Sequence, residues 1–257
     1  MKRRVLLAAL LGAMGTGQAL AQSPATGPKV AVISLIGSEL QVLTFGQQVG
    51  SRLDARVRQS VTVPDQMFDA TALEAAKTAW QRQTPAPADI ALFAPTSPAL
   101  LTNPRALFDQ DQLQLPAAML DGLRREGFEQ LLLITRHRQE NRLRASNAWV
   151  GDGPLEGVGF YVDRYQDVVD AETGSPSRGF LAPYVSLRLS LVALPQAQVI
   201  KRQTIGMGYV IGNGRYGGNN PWEALSNKDK VALLTTMIER QVGEYTDKQI
   251  GRASCRE

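Results

Sequence analysis

The stretch FLAPYVSLRLSLVALPQAQVIKRQTIGMGYVI, Phe180 to Ile211, is two long apolar runs joined by the short polar break Pro195-Gln196-Ala197-Gln198. In the first run Val185, Leu187, Leu189 and Leu191 alternate with Tyr184, Ser186, Arg188 and Ser190. A period of two is the signature of a strand with one buried face. The second run continues through Val199, Ile205, Met207, Tyr209 and Ile211, and the break has the length of a hairpin loop. The stretch predicts a long antiparallel β-hairpin in the middle of a sheet.

Upstream, Lys29 to Ile36 is apolar on both faces, as a central strand covered on both sides must be. Gly37-Ser38 interrupts it, and Leu40 to Phe45 is expected to fold back as a second strand. A polar loop follows, with a short strand at Ser60 to Val63. Asp69 is placed as the N-cap of a helix that runs to about Gln83, carries Leu73, Ala76 and Trp80 on one face, and stops before Pro85 and Pro87. Asp89 to Ala94 reads as a parallel strand. Pro116 suits the first turn of a helix with Met119, Leu120 and Leu123, closed by Gly127. Gln130 to Arg138 is the next strand, and Arg142 to Val150 is expected to return antiparallel after the turn Gln139-Glu140-Asn141. Leu155 to Val169 carries further strand signals, and Asp170 to Gly179 is a polar break. After the hairpin and a Gly- and Asn-rich loop, Ser226 and Asp229 form a capping-box signature for a helix with Val231, Leu234, Ile238, Val242 and Tyr245 on one stripe. The order of elements predicts one mixed α/β domain over residues 29–249, with two or three helices packed on the sheet and a C-terminal helix.

The ends read differently. Met1 to Arg4 is basic, an apolar run follows to about Met14, and Ala19-Leu20-Ala21 is a small-residue cleavage site, the layout of a secretory signal peptide. Residues 1–21 are therefore expected to be removed on export to the periplasm, leaving a mobile leader over residues 22–28. Ile250 to Glu257 (IGRASCRE) resembles the in-frame translation of a sequencing adapter, so residues 250–257 are read as an appended artefact. Setting both ends aside changes the charge. The 28 basic residues lose Lys2, Arg3, Arg4, Arg252 and Arg256 and become 23, while the 24 acidic ones lose Glu257 and also become 23. A neutral chain offers no electrostatic argument for a nucleic-acid partner. The single Cys, Cys255, lies in the suspect tail, so the fold is expected to rest on core packing without disulfides.

Strand, helix, a strand after Gly127-Phe128-Glu129-Gln130, a two-strand excursion, the long hairpin and a closing helix resemble the α/β domain of the curli secretion-channel family, of the TolB N-terminal domain and of lipoprotein activators of penicillin-binding proteins. The hairpin turn departs from that pattern, because Leu194 to Gln198 lacks its Asp and Gly. The chain also resembles a group of uncharacterised exported proteobacterial proteins through residues 50–54, 157–163 and 179–184. The resemblance implies a fold and an envelope location rather than an activity.

The residues offer little catalytic chemistry. His137 is the only His, and its place in a strand beside Leu133 and Thr135 reads as a buried or sheet-facing structural residue. No combination of His and Cys suits zinc, and no cofactor is implied. The glycines of Gly206 to Gly212 have the wrong spacing for a dinucleotide loop and read as a bulge or a close approach. Asp109 with Asp111, and Asp163 with Asp167 and Asp170, lack the spacing of a calcium loop. The leading expectation is a non-enzymatic envelope protein that binds another envelope component or assembles into a homo-oligomer. The alternative is a periplasmic hydrolase using carboxylates, with Asp163 and Asp167 as the first pair to test. A binder of small anionic ligands is the third reading. The candidate binding residues are Arg136, Arg138, Arg142 and Arg144. Pairing Arg138 with Arg142 across the turn sets Arg136 opposite Arg144 and puts four guanidiniums on one face, where they pair with Glu140, Glu156, Asp163 or Glu172, splay into water, or dock an anionic partner.

Overall fold

The structure, a computed structural model, describes residues 27–46, 56–83, 88–140, 142–146, 148–212 and 220–251. The signal-peptide reading, most of the leader, the motif at residues 50–54, the prolines at 85 and 87, and Cys255 lie outside the described residues.

Strand β1 (Lys29–Leu35) lies between two parallel neighbours, β4 (Asp89–Phe93) and β7 (Gln130–Arg136). Its continuous apolar run has a direct cause. Val30 and Val32 enter one core, while Ala31, Ile33 and Leu35 enter another on the opposite face. Strand β2 (Glu39–Phe45) does not fold back on β1. It pairs antiparallel with β3 (Arg56–Thr62) and parallel with β11 (Pro154–Val169). Both edges of β1 are already taken, and Gly37, at φ 82°, turns the chain away.

The predicted hairpin is present. Strand β12 (Pro176–Ala193) pairs with β13 (Gln198–Gly208) from Tyr184 opposite Gly208 to Ala193 opposite Gln198. Leu187, Leu189 and Leu191 are buried on the face covered by α1 (Met67–Gln83) and α4 (Asn227–Gly251). The other edge of β12 is shared. Its residues up to Ser186 pair with β11, whereas Leu187 to Ala193 pair with β7. The sheet therefore forks between Ser186 and Leu187. The two short strands at the far end of the hairpin are β5 (Phe108–Asp109) and β6 (Gln112–Leu113), and β14 (Ile211–Gly212) pairs with the start of β12.

The second face of the sheet carries two separate covers. One is built from α2 (Pro98–Thr102), a 3-10 turn at Pro104–Leu107 and α3 (Ala117–Arg125), which close over Ile33, Leu131, Leu133 and Val192. The other is the excursion with β8 (Arg138–Glu140), β9 (Leu143–Arg144) and β10 (Trp149–Val150), which closes over Tyr161, Phe180 and Tyr184.

Helix ends follow the sequence in part. Ser226 caps α4, its Oγ accepting from the Asp229 amide at 3.1 Å and donating to the Asp229 carboxylate at 2.6 Å. Gly127, at φ 80°, follows the end of α3. Asp69 is not a cap. It is the third residue of α1, and its carboxylate reaches across to accept from Ser34 Oγ at 2.6 Å and from the amides of Ile36 and Gly37 at 2.9 and 3.0 Å. It closes the end of β1, whose departing amides have no strand partner.

Candidate functional site

The excursion after β7 decides where the candidate arginines go. The expected hairpin of Arg136–Arg138 with Arg142–Arg144 does not form. Strand β8 pairs with β11, placing Arg138 opposite Glu156, and β9 pairs with β10, placing Arg144 opposite Trp149. Strand β11 supplies a ladder for Gln139 and Glu140 in place of that turn. The four arginines therefore separate. Arg142 and Arg144 are exposed beside Trp149, Glu172, Tyr209 and Arg240, around a surface cavity of about 710 Å³. Arg136 and Arg138 stay together at the carboxyl end of β7.

That end lies in the fork of the sheet and in the gap between the two covers. The floor is Thr135, Arg136 and His137 with Arg188 of β12; one wall is Thr102 to Arg105, and the other is Arg138 with Glu156. Together they enclose a cavity of about 240 Å³. Four guanidiniums and one imidazole face a single carboxylate there. The fork is pinned from below: the His137 amide donates to the Ser186 carbonyl at 3.0 Å, and Ser186 Oγ donates to the His137 carbonyl at 2.7 Å. Gly157, at φ 69°, lets β11 turn off beside the Arg136 stem, since a Cβ there would stand 2.9 Å from Arg136 Cδ.

Glu156 is the one carboxylate among the described lining residues, and Asp69 at the end of β1 acts on Arg136 from outside the cavity. Arg188 reaches His137 Nε2 at 3.3 Å, so the imidazole accepts through Nε2 and is neutral. Burial lowers the His137 pKa, with Arg188 and Arg105 adding to the effect and Glu156 opposing it. Burial also lowers the Arg188 pKa, with Arg202 and Arg105 as further causes. Arg136 donates one amino group to the Leu101 carbonyl. The Nε groups of Arg136 and Arg188 are buried with no hydrogen-bond partner among the described residues. Unpaired buried donors are costly to a fold.

Of the residues around this cavity, sequence reasoning singles out Arg136 and Arg138, reads His137 as structural, and does not reach Arg188 or Arg105. Arg188 had a visible signal, a charge set in the Leu and Ser alternation of a central strand. Arg105 had none, because only the packing of α2 and its following turn brings that connector to the end of β7.

Two of the carboxylates considered for hydrolysis, Asp163 and Asp111, are engaged elsewhere, and Asp167 is exposed. Asp163 is buried, and its Oδ1 accepts from the amides of Tyr165 and Gln166 at 2.7 and 2.9 Å within an irregularity of β11 that separates it from Asp167. Asp111 pairs with Arg202 at 3.4 Å. Among the described residues no group of three or more His, Cys, Asp and Glu side chains could hold a metal ion. At Gly206 and Gly208 it is side chains rather than backbone that approach most closely, with Gln139 and Leu143 packed where their Cβ atoms would stand.

No protein-family model matches the chain, and no curated protein matches it significantly. Among solved structures, the PelC dodecamer from Paraburkholderia phytofirmans is similar at 13% identity, with 86% of each chain covered and a TM-score of 0.32. A Xanthomonas campestris protein of family DUF330 matches at 8% identity, covering 91% of this chain and 87% of its own, with a TM-score of 0.36. A putative neuraminyllactose-binding hemagglutinin homolog from Helicobacter pylori matches at 7% identity over 87% of this chain and 86% of its own, also at 0.36. At these identities and TM-scores the likenesses assign neither an activity nor a ligand. Among the described residues no helix is long and apolar enough to cross a membrane.

Proposed function

We propose that this chain is an exported, non-enzymatic binding protein of the cell envelope, whose arginine cavity holds an anionic group of another envelope component. The observation that carries the reading is the convergence of Arg105, Arg136, Arg138 and Arg188 on one cavity in which, among the described residues, Glu156 is the one carboxylate. Like charges so close are unfavourable for folding, and guanidinium forks suit carboxylates and phosphates. Export is supported by the basic, apolar and small-residue layout of residues 1–21. The hydrolase alternative draws no support from Asp163, which is committed to backbone amides. Self-assembly offers a second route to an envelope complex, because edge strand β3 leaves Val57 and Val61 at 54% and 44% exposure.

The test is retention of envelope components from a periplasmic extract by the wild type and by R105Q/R188Q, as salt is raised. Salt-sensitive retention lost in the double variant supports the reading. Equal retention by both proteins overturns the assignment of the site. Sedimentation of the purified chain at several concentrations decides separately whether it self-associates.

A further inference from the structure

We propose that the ligand group held in this cavity is a compact doubly charged oxoanion, a phosphate or sulfate ester rather than a single carboxylate, and that seating it draws a proton onto His137. The proposal rests on the anion-binding reading above and narrows it by charge, size and proton count.

Charge comes first. Among the lining residues the four guanidiniums outweigh Glu156 by three, with Asp69 acting on Arg136 from outside the cavity. Arg105 and Arg138 are exposed, and the two half-buried ones, Arg136 and Arg188, come from neighbouring strands in the fork. A single carboxylate carries one charge in a plane. A tetrahedral oxoanion presents three or four oxygens to donors arriving from the floor and from both walls. A cavity of about 240 Å³ has room for such a group and a short stem, not for a folded polymer. Among the described residues the Nε groups of Arg188 and Arg136 are buried without a partner, so turning either guanidinium toward a bound anion gives up no hydrogen bond at Nε.

His137 supplies the coupling. In the free protein its Nε2 accepts from Arg188 at 3.3 Å, an arrangement that only the neutral ring can make. The charged groups around the ring are Arg188 on β12, Arg105 on the 3-10 turn, Glu156 on β11, and Arg136 and Arg138 on its own flanks. Most are cationic and hold the proton off. A dianion between Arg188 and His137 takes over the Arg188 donor, frees Nε2 and favours the imidazolium. By linkage, an anion that raises the His137 pKa must itself bind more tightly as the pH falls.

Inorganic sulfate is the deciding probe, because it keeps both charges throughout the range tested and its own titration does not intervene. Calorimetric titration of the intact chain with sulfate at pH 7.5 and 5.5, at fixed ionic strength and in two buffers of different ionisation heat, reads affinity and proton uptake together. The expected result is sulfate binding about tenfold tighter at the lower pH, the factor that follows when the bound anion makes the His137 imidazolium about tenfold harder to deprotonate. Proton uptake should accompany it, and acetate should bind at least several-fold more weakly. In H137Q, whose side-chain oxygen can still accept from Arg188, sulfate should bind without proton uptake or pH dependence. R188K keeps the charge but not the fork, and should weaken sulfate at both pH values while melting normally. Sulfate binding that ignores pH, or pH dependence that survives in H137Q, overturns the coupling and leaves the anion-binding reading standing. Acetate binding as tightly as sulfate overturns the oxoanion. No binding of either anion overturns both. Glycerol phosphate in solution and vesicles containing phosphatidic acid then separate a soluble ester from a lipid headgroup, and R188Q should abolish whichever is bound.

Discussion

Asp170 holds the turn between β11 and β12. One carboxylate oxygen accepts from the amides of Glu172 and Thr173 at 2.9 and 2.7 Å and from Thr173 Oγ1 at 3.0 Å, and the other accepts from the Gly212 amide at 2.6 Å. Burial by itself raises its pKa, but the hydrogen bonds from Thr173, Gly212 and Glu172 outweigh burial and leave it lowered. A depressed folded-state value contributes stability above the ordinary carboxylate range and loses it as pH falls through the folded value. D170N should therefore cost about 1–3 kcal/mol at pH 7. In urea titrations at descending pH, the gap between variant and wild type should close toward pH 3; a constant gap would mean the charge plays no part. Backbone space gives a second prediction at this scale. An added Cβ on Gly159 would stand 2.0 Å from the Gln41 carbonyl oxygen, so G159A should abolish the pairing of β11 with β2 and the yield of folded protein. In α3 nothing lies within 4 Å of such an atom on Gly122, and G122A should stabilise by about 0.5–1 kcal/mol, measured by the same denaturation.

The long strand β12 is the element on which the others are registered. It pairs along one edge with β13 and along the other with β11 and then β7, so its leucines face α1 and α4 from the centre of the sheet. Leu189 and Leu234 are both fully buried in that core. L189A and L234A should each cost about 2–5 kcal/mol in chemical denaturation. A cost near zero at either position would place it outside the core. The same strand supplies Arg188 to the opposite face, which is why the stability and the chemistry of the molecule meet in one element. R188Q should melt close to the wild type or above it, because it relieves repulsion with Arg105 and Arg202.

Across the whole molecule, the core under α1 and α4 is continuous from Val30 on β1 to Val162 on β11 and Val242 on α4. The covers of the other face are separate, and the cavity is the gap they leave. Trp80 is buried in the continuous core and Trp222 packs against it, whereas Trp149 is 67% exposed on the excursion. Unfolding followed by tryptophan emission and by far-ultraviolet circular dichroism should give coincident transitions. An earlier transition confined to a W149F-sensitive signal would show that the excursion opens before the core.

What the sequence determined by itself was the local pattern: the period-two leucines of the hairpin, the two-faced apolar run of β1, the helix from Ser226 and the mixed α/β class. These follow from which side of a short segment must leave water, and a segment's own residues record that. Partner choice is not recorded there. Strands β9 and β10 leave β8 because β11 offers it a ladder, β2 leaves β1 because both edges of β1 are filled, and Asp69 serves the end of a strand rather than its own helix. The cavity shows the difference most plainly. Arg136 and Arg138 were visible as a charged run, but Arg142 and Arg144 sit elsewhere, and Arg105 and Arg188 arrive from connectors and strands distant in the chain. Only the tertiary structure assembles them, because the fork at Ser186 and Leu187 is set by long-range pairing whose free energy depends on every strand being in place at once.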